Sequence, residues 1–470
     1  MEASKPKIGL AIMANEWFWK YKMFGSDFLE LINRDVEYIN SKLSEFAEVI
    51  TTGIILNEEQ ALEAIKEIKN MDADLLLICP IIWTSDIPLI EMLRETPKDI
   101  PIILWFYSPY EKLPSRLSVS DFIRATGSVG ALQFSNVLKR EGRNFSVVVG
   151  TKYEESLFKE IHTYARVART VKELRKSRLG LLPWRYPDIA NTWCDEFKLT
   201  TRLGPKIIRI PVTELFRASQ SISREEVNLF INQLKENFEV KVSDRSLYVS
   251  ARASLGLAKI FNDYRLNAIA IQDLDDELHS LLKTRPCLYV PSIFERGGVV
   301  GMEGDVHTTM AMLILRGLTG QPVLFAEVYT FDKSENVILM GHTTMLDINV
   351  AKNPKEIKII ADCEYEKFDE VEGAYMYFTC REGVVTMLSL IDDIENYKLI
   401  ISKGESTPID GVRTEGYSHL LVRPTIQVEE FLKEAAKAGA GQHWAITYGD
   451  HVSILEKFAE LAGLNKTVIG

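Results

Sequence analysis

Along the first ~150 residues, short and nearly continuous apolar runs alternate with segments whose apolar residues recur every three or four positions. Lys7–Met13, 74–80, 100–107 and 145–150 are runs of the kind buried on both faces of a parallel sheet, with the intervening segments as covering helices. One helix start is explicit: Asn57 caps, Gln60 reaches back, and Ala61, Leu62, Ile65 and Ile68 share a face. The charged stretch 154–176 has neither Gly nor Pro and reads as a helical connector. A second alternating series follows, with Arg178–Leu182, 207–212, Ala268–Ile271 and 288–291 as strands and Arg224–Asn237 and 249–264 as helices. From Pro322 the texture changes. Runs at 323–331, 337–347, 357–361, 374–379 and 397–402 come in quick succession with few helices between them, which predicts an antiparallel sheet or barrel. A helix over 453–462, with Ile454, Leu455, Phe458 and Leu461 inward, is expected to close the chain.

Composition narrows the function classes. Lys and Arg number 55 against 66 Asp and Glu, a net charge of −11, and a chain of this sign lacks the basic surface a nucleic-acid binder needs. No apolar stretch approaches the ~18 residues that span a membrane, and no signal peptide is expected before Ile8. The five cysteines are widely spaced and odd in number, with no C-x-x-C, so they read as free thiols in a reducing compartment. These features predict a cytoplasmic protein without nucleic-acid or membrane partners. Histidine is the oddity: five of the seven fall after position 300.

Four residues in that C-terminal region could carry chemistry. Glu303 follows a glycine-rich turn at the start of a predicted helix, and Glu327 lies in an apolar strand where an unpaired charge would be costly. His342 ends another apolar run, and His443 precedes one. Two carboxylates and two imidazoles make a mixed O/N site suited to a divalent ion such as Mn2+ or Co2+. Taken singly, the same residues fit a surface Glu303, a paired Glu327 and two core histidines.

Their motifs carry a resemblance. Gly301-Met302-Glu303-Gly304-Asp305, Phe325-Ala326-Glu327-Val328-Tyr329-Thr330, Gly341-His342 and Ala440-Gly441-Gln442-His443 resemble, in order, the four metal-site motifs of the L-arabinose isomerases. The tail around Phe458–Gly463 is written alike, and 197–215 resembles the middle domain shared with the L-fucose isomerases. The resemblance implies an α/β subunit of two doubly wound, Rossmann-like parallel-sheet domains (1–175 and 176–321) and a β-rich, barrel-like C-terminal domain (322–470). It implies assembly as a trimer-based hexamer, and Mn2+, with Co2+ or Mg2+ as alternatives, held by Glu303, Glu327, His342 and His443. The activity implied is aldose–ketose isomerisation of a pentose or hexose through an enediolate, with Glu303 and Glu327 moving the protons.

The chain also departs from the family. Val328 stands where an acid is usual, Gln442-His443 replaces a paired His-His, and Ala125–Gly130 replaces an Asn-Gln-rich stretch. The altered substrate wall leaves the sugar open. It keeps two alternatives in view: an L-fucose-type isomerase acting on another sugar, and a non-catalytic sugar-binding or regulatory protein on the same scaffold. Trp19, Trp83 and Tyr107, at the ends of predicted strands, are candidate sugar-contacting aromatics or packing residues. His307, one turn beyond Glu303, is a candidate substrate contact or a core histidine. His419, Arg413 and Arg423 are lesser candidates for hydroxyl or phosphate binding, whereas His162, His279 and His451 read as structural.

Overall fold

A computed structural model describes residues 5–344, 346–364, 371–408 and 414–470. Arg413 lies outside the described residues. The chain forms two compact units, one of Met1–Lys172 with Glu460–Gly463, the other of Glu173–Ala459 with Leu464–Gly470.

The first unit is built on strands β1 (Lys7–Met13), β2 (Glu48–Ile50), β3 (Ile54–Ile55), β4 (Leu75–Pro80), β5 (Ile102–Ser108) and β6 (Phe145–Thr151). They run parallel in the order β2-β1-β4-β5-β6, with β3 beside β1. Alternate residues divide between two cores: Leu10, Leu77 and Trp105 face one layer of helices, Leu76, Ile78 and Leu104 the other. That explains why β1, β4 and β5 are apolar along their length, whereas β6, also expected to be buried on both faces, is an edge strand with Val147 and Val149 exposed. The predicted helix after Asn57 forms at Glu58–Asn70, where Gln60 N–H donates to Asn57 Oδ1 at 3.1 Å. Gln60 Oε1 accepts from the Leu56 N–H, one residue before the cap, and Leu62 is exposed while Ala64 takes the inward place. Gly127 and Gly130 let the helix Gly127–Arg140 lie close on the sheet, because a Cβ on Gly127 would stand 2.8 Å from the carbonyl oxygens of Pro80 and Tyr107.

The second unit begins as expected, with parallel strands β7 (Arg178–Leu182), β8 (Lys206–Arg209), β10 (Ala268–Ile271) and β11 (Val299–Gly301) in the order β11-β10-β7-β8. Residues 288–291 are not a strand. Pro291 opens a short helix, Pro291–Phe294, and the Leu288 N–H is taken by Ser254 Oγ at 3.0 Å. The place beside β10 falls instead to β11, where Gly301 meets Thr309 so closely that a Cβ would clash. The helix expected from residue 249 starts earlier, at Asp244, because Ser243 caps it. A small sheet joins β9 (Glu239–Val240), β14 (Lys358–Ile360) and β15 (Tyr375–Tyr377) in the order β15-β14-β9.

The antiparallel region is a closed barrel. Strands β12 (Val323–Asp332), β13 (Val337–His342), β16 (Gly383–Asp393), β17 (Asn396–Thr407), β18 (Ser418–Pro424) and β19 (His443–Tyr448) pair in the order β16-β19-β12-β13-β18-β17, and β17 returns to β16. Closure leaves no free edge among these strands. β20 (Asn465–Ile469) adds in parallel to β17, so a strand, and not the helix Val452–Ala462, ends the chain. β13 stops at His342, short of the expected residue 347. Thr344 N–H and Oγ1 turn back onto His342 Nδ1, and Asp347 caps a 3-10 turn. The Val428–Ala438 helix also lies between β18 and β19, where few helices were expected. Among the described residues, no helix is long and apolar enough to cross a membrane.

The helix Val306–Thr319 is apolar nearly all round and packs against β10, β11, β12, β16 and β19. It therefore ties the loop after β11 to the barrel strands. Gly341, opposite Glu327 in the barrel, has no room for a side chain, since its Cβ would meet the Ser418 carbonyl oxygen at 2.2 Å. Gly341→Ala is expected to cost about 1–3 kcal/mol by overpacking. A lowered urea midpoint would show it, and an unchanged midpoint would refute the close approach.

Candidate metal centre

Glu303 comes from the tight turn between β11 and the Val306–Thr319 helix. Its φ is +56° and that of Gly304 is +61°, both left-handed. Only glycine fits at 304, where a Cβ would sit 2.6 Å from the Trp184 carbonyl oxygen. Glu303 pays for the same backbone geometry with strain, which its surroundings must hold. The Glu303 N–H donates to Asp273 Oδ1 at 2.9 Å, and the Gly304 N–H to the Ile271 carbonyl at 2.9 Å.

The other three residues are delivered by neighbouring barrel strands. Register sets Glu327 of β12 directly across from His443 of β19 and from Gly341 of β13. Directly paired residues present their side chains on one face. His342 is the last residue of β13, and its Nε2 lies 3.6 Å from Glu303 Oε1. His443 Nε2 stands 3.4 Å from Glu303 Oε2 and 3.4 Å from Glu327 Oε1. One donor atom from each of the four residues falls within 4.8 Å of all the others. The Phe325 ring packs 5.1 Å from His342 and 4.5 Å from His443, which walls the histidines on one side.

Each imidazole is oriented through its other nitrogen. His342 Nδ1 bonds Thr344 Oγ1 at 2.8 Å, and His443 Nδ1 bonds Asp305 Oδ2 at 2.9 Å. Both Nε2 atoms thereby turn toward the carboxylates, the arrangement found where histidines bind metals. His443 Nε2 and Glu303 Oε2 are buried and make no hydrogen bond. At 3.4 Å they face each other as an ion pair without a hydrogen bond between them, and a divalent ion is an occupant that their chemistry fits.

The electrostatics agree. Burial alone would lower the His443 pKa, but the Asp305 and Glu327 carboxylates beside its two nitrogens outweigh it and push it up to about 10. Burial would raise the Glu327 carboxyl, yet His443 and His342 hold it below the ordinary range. Asp305 is likewise depressed against its burial by His443.

The remaining candidates are not part of this group of four. His307 is buried, with its Nε2 unpartnered and burial lowering its pKa, and it lines a cavity of about 230 Å3 with Asp305, His443, Asn191 and Asp392. Trp19, Trp83 and Tyr107 belong to the first unit. Tyr107 is fully buried and donates to Asp35 Oδ2 at 3.0 Å, beside Arg124 and Lys152. Trp83 meets Phe18 edge-on at 6.2 Å, and Trp19 packs on the same core. A cavity of about 410 Å3 at these strand ends is lined by Trp17, Lys20 and Tyr21 instead. His419 bonds Thr414 Oγ1 and the Tyr417 carbonyl, His451 the Tyr448 carbonyl and His279 the Asp273 carbonyl. Sequence reasoning missed Asp305 as the partner of His443, as well as Asp273 and Thr344. Of these only Asp305 stood at a position the sequence marked, the start of a predicted helix, and a cap there says nothing of His443.

Comparison with known proteins follows the same residues. Residues 323–465 match the family model of the L-arabinose isomerase C-terminal domain. The chain is 24% identical over 371 residues to a sulfoquinovose isomerase of Priestia aryabhattai, covering 78% of this chain and 80% of that one. It is 21% identical over 472 residues to the L-arabinose isomerase of Aeromonas hydrophila, covering 95% and 92%. With that of Geobacillus thermodenitrificans it shares 23% identity over 366 residues, covering 74% and 72%. Residues 323–465 thus resemble the C-terminal domain of the L-arabinose isomerases, and most of the chain is similar to arabinose isomerase-like enzymes.

Proposed function

We propose that this protein is a divalent-metal-dependent aldose–ketose isomerase. The observation that carries the reading is the convergence of Glu303, Glu327, His342 and His443, with two buried ligand atoms, His443 Nε2 and Glu303 Oε2, that make no hydrogen bond. Isomerase relatives along most of the chain support it. These four residues would hold the ion, and Mn2+ suits their mixed oxygen and nitrogen donors. When bound, such an ion supplies Lewis-acid polarisation of the sugar's oxygens.

The chain's own groups account for the rest. Moving a carbonyl from C1 to C2 needs a proton taken from C2 and one returned to C1, with an enediolate between and no net oxidation. Glu303 reaches the site from the loop after β11 and Glu327 from the barrel, so one can accept the proton and the other deliver it. Their environments differ, Glu303 being almost fully buried and Glu327 partly open, as such a division requires. Asp305 and Thr344 keep the histidines aimed, and burial of Glu303, His342 and His443 limits water at the reacting carbons.

Metal-stripped protein given Mn2+ is expected to form ketose from at least one aldose in a panel spanning L-arabinose, L-fucose, sulfoquinovose and related pentoses and hexoses. Absence of ketose from every sugar, with the ion bound, refutes the reading. Glu327→Gln is expected to lose turnover by at least about a thousandfold and to weaken Mn2+ binding. A tight sugar binder unaffected by that change would instead be a non-catalytic protein.

The proton on His443 gives a pH test. Its pKa of about 10 means that the metal-free site is protonated at neutral pH, so an entering ion must displace that proton. Mn2+ affinity is expected to rise toward about tenfold per pH unit between pH 6.5 and 9, with close to one proton released per ion. Calorimetry in buffers of different ionisation enthalpy measures the release, and a pH-independent affinity would contradict it.

A further inference from the structure

The strained turn that carries Glu303 is held by residues to which the proposed chemistry gives no part. Asp273 is fully buried just beyond the end of β10. Its Oδ1 accepts the Glu303 N–H at 2.9 Å, while its Oδ2 accepts Arg285 Nη1 at 2.8 Å. Arg285 is 1% exposed and has few equals among the buried side chains for size. It also bonds Asp362 through Nε at 2.8 Å and Nη2 at 2.7 Å, and Glu364 through Nη1 at 2.7 Å. Glu364 in turn accepts from Thr343 Oγ1 at 3.3 Å, next to His342, and from the Tyr417 hydroxyl at 3.2 Å.

A cation buried among three carboxylates contributes little to stability for the desolvation it demands, so its geometry is the more informative feature. One oxygen of Asp273 is spent on the guanidinium and the other on the backbone of a single residue, Glu303. A carboxylate pinned in this way cannot rotate off the N–H, and the N–H fixes a left-handed residue that has no glycine freedom of its own. Without that acceptor the buried Glu303 N–H is orphaned and the turn can relax, carrying the side chain away from His342 and His443.

We propose that Asp273, locked by Arg285, is a positioning residue that keeps the Glu303 carboxylate aimed at the metal and substrate. The inference rests on the isomerase reading for what Glu303 does, and on the turn alone for how Glu303 is held. Asp362 makes the built-in comparison, because it grips the same arginine and has no hydrogen bond to Glu303.

The test compares Asp273→Ala with Asp362→Asn in the full chain. Both remove an ion-pair partner of Arg285, so both are expected to lower the thermal midpoint. Only Asp273→Ala is expected to speed hydrogen exchange at the Glu303 amide, measured without metal. It is also expected to weaken Mn2+ binding by about 10–100-fold, as losses of outer-shell partners do, and to lower kcat more than it changes KM. Asp362→Asn is expected to keep amide protection and Mn2+ affinity within about threefold of the starting protein. Should Asp273→Ala fail to fold, Asp273→Asn takes its place: the amide is isosteric, and with its single oxygen drawn to the charged Arg285 its NH2 faces the Glu303 N–H where an acceptor stood. Unchanged Glu303 protection and Mn2+ affinity in a folded Asp273 variant would overturn the proposal, as would equal losses in Asp362→Asn. If the starting protein binds no Mn2+, the isomerase reading fails, while the amide comparison still decides whether Asp273 holds the turn.

Discussion

One buried carboxylate ties the second unit together. Asp305 accepts from the Thr308 N–H and hydroxyl at 2.9 and 2.7 Å, closing the start of the Val306–Thr319 helix, and it bonds His443 Nδ1 at 2.9 Å. The helix grows out of the parallel sheet and His443 begins a barrel strand, so this contact couples two differently built parts. A charge so deeply placed is tolerable only if paired and hydrogen-bonded. Because Asp305 takes the Nδ1 side of His443, the Nε2 side is left for the glutamates. The orientation of the site and the start of the helix thus depend on the same two oxygens.

The barrel supplies the second constraint. Glu327 and His443 meet because β12 and β19 pair in one register, and a slip of one residue would send them to opposite faces. Closure through β16 and β17 resists such a slip, since every strand in the ring is held on both sides. Glu303 arrives from outside the barrel and has no register to place it. Its backbone conformation must instead be imposed by Asp273 and by the fit of Gly304 under Trp184. Rigid strands carry three of the four residues and a strained turn the fourth, and that turn is where the structure spends buried polar contacts.

The first unit solves a different problem. Its central strands β1, β4 and β5 are apolar on both faces, and its notable polar feature is Asp35, buried with Arg124, Lys152 and the Tyr107 hydroxyl. Aromatic residues at strand ends suggested a sugar surface, but Tyr107 completes this buried cluster and Trp83 and Trp19 pack on the core. Position at a strand end does not say whether a side chain points out or in. That choice depends on which neighbours, here Asp35 on a helix far away in sequence, stand ready to satisfy it.

Local rules made much of the architecture legible. Continuous apolar strands marked the parallel sheets, and the capping pattern after Asn57 marked a helix that forms at Glu58. The change of texture after Pro322 marked the barrel, although two of the runs it rested on, 357–361 and 374–379, pair instead in the small sheet with β9. Where nonlocal pairing decided, the pattern fell short: 288–291 is as apolar as a strand, yet Pro291 and Ser254 draw it out of the sheet. The order of the four motifs in the chain indicated which glutamates and histidines belong together, because that order depends only on residue types. Their convergence to within 4.8 Å, and the roles of Asp305, Asp273 and Arg285, were decided by tertiary structure alone. The reason is physical: a buried polar group is defined by the partner that satisfies it, and these partners lie between 12 and 138 positions apart in sequence.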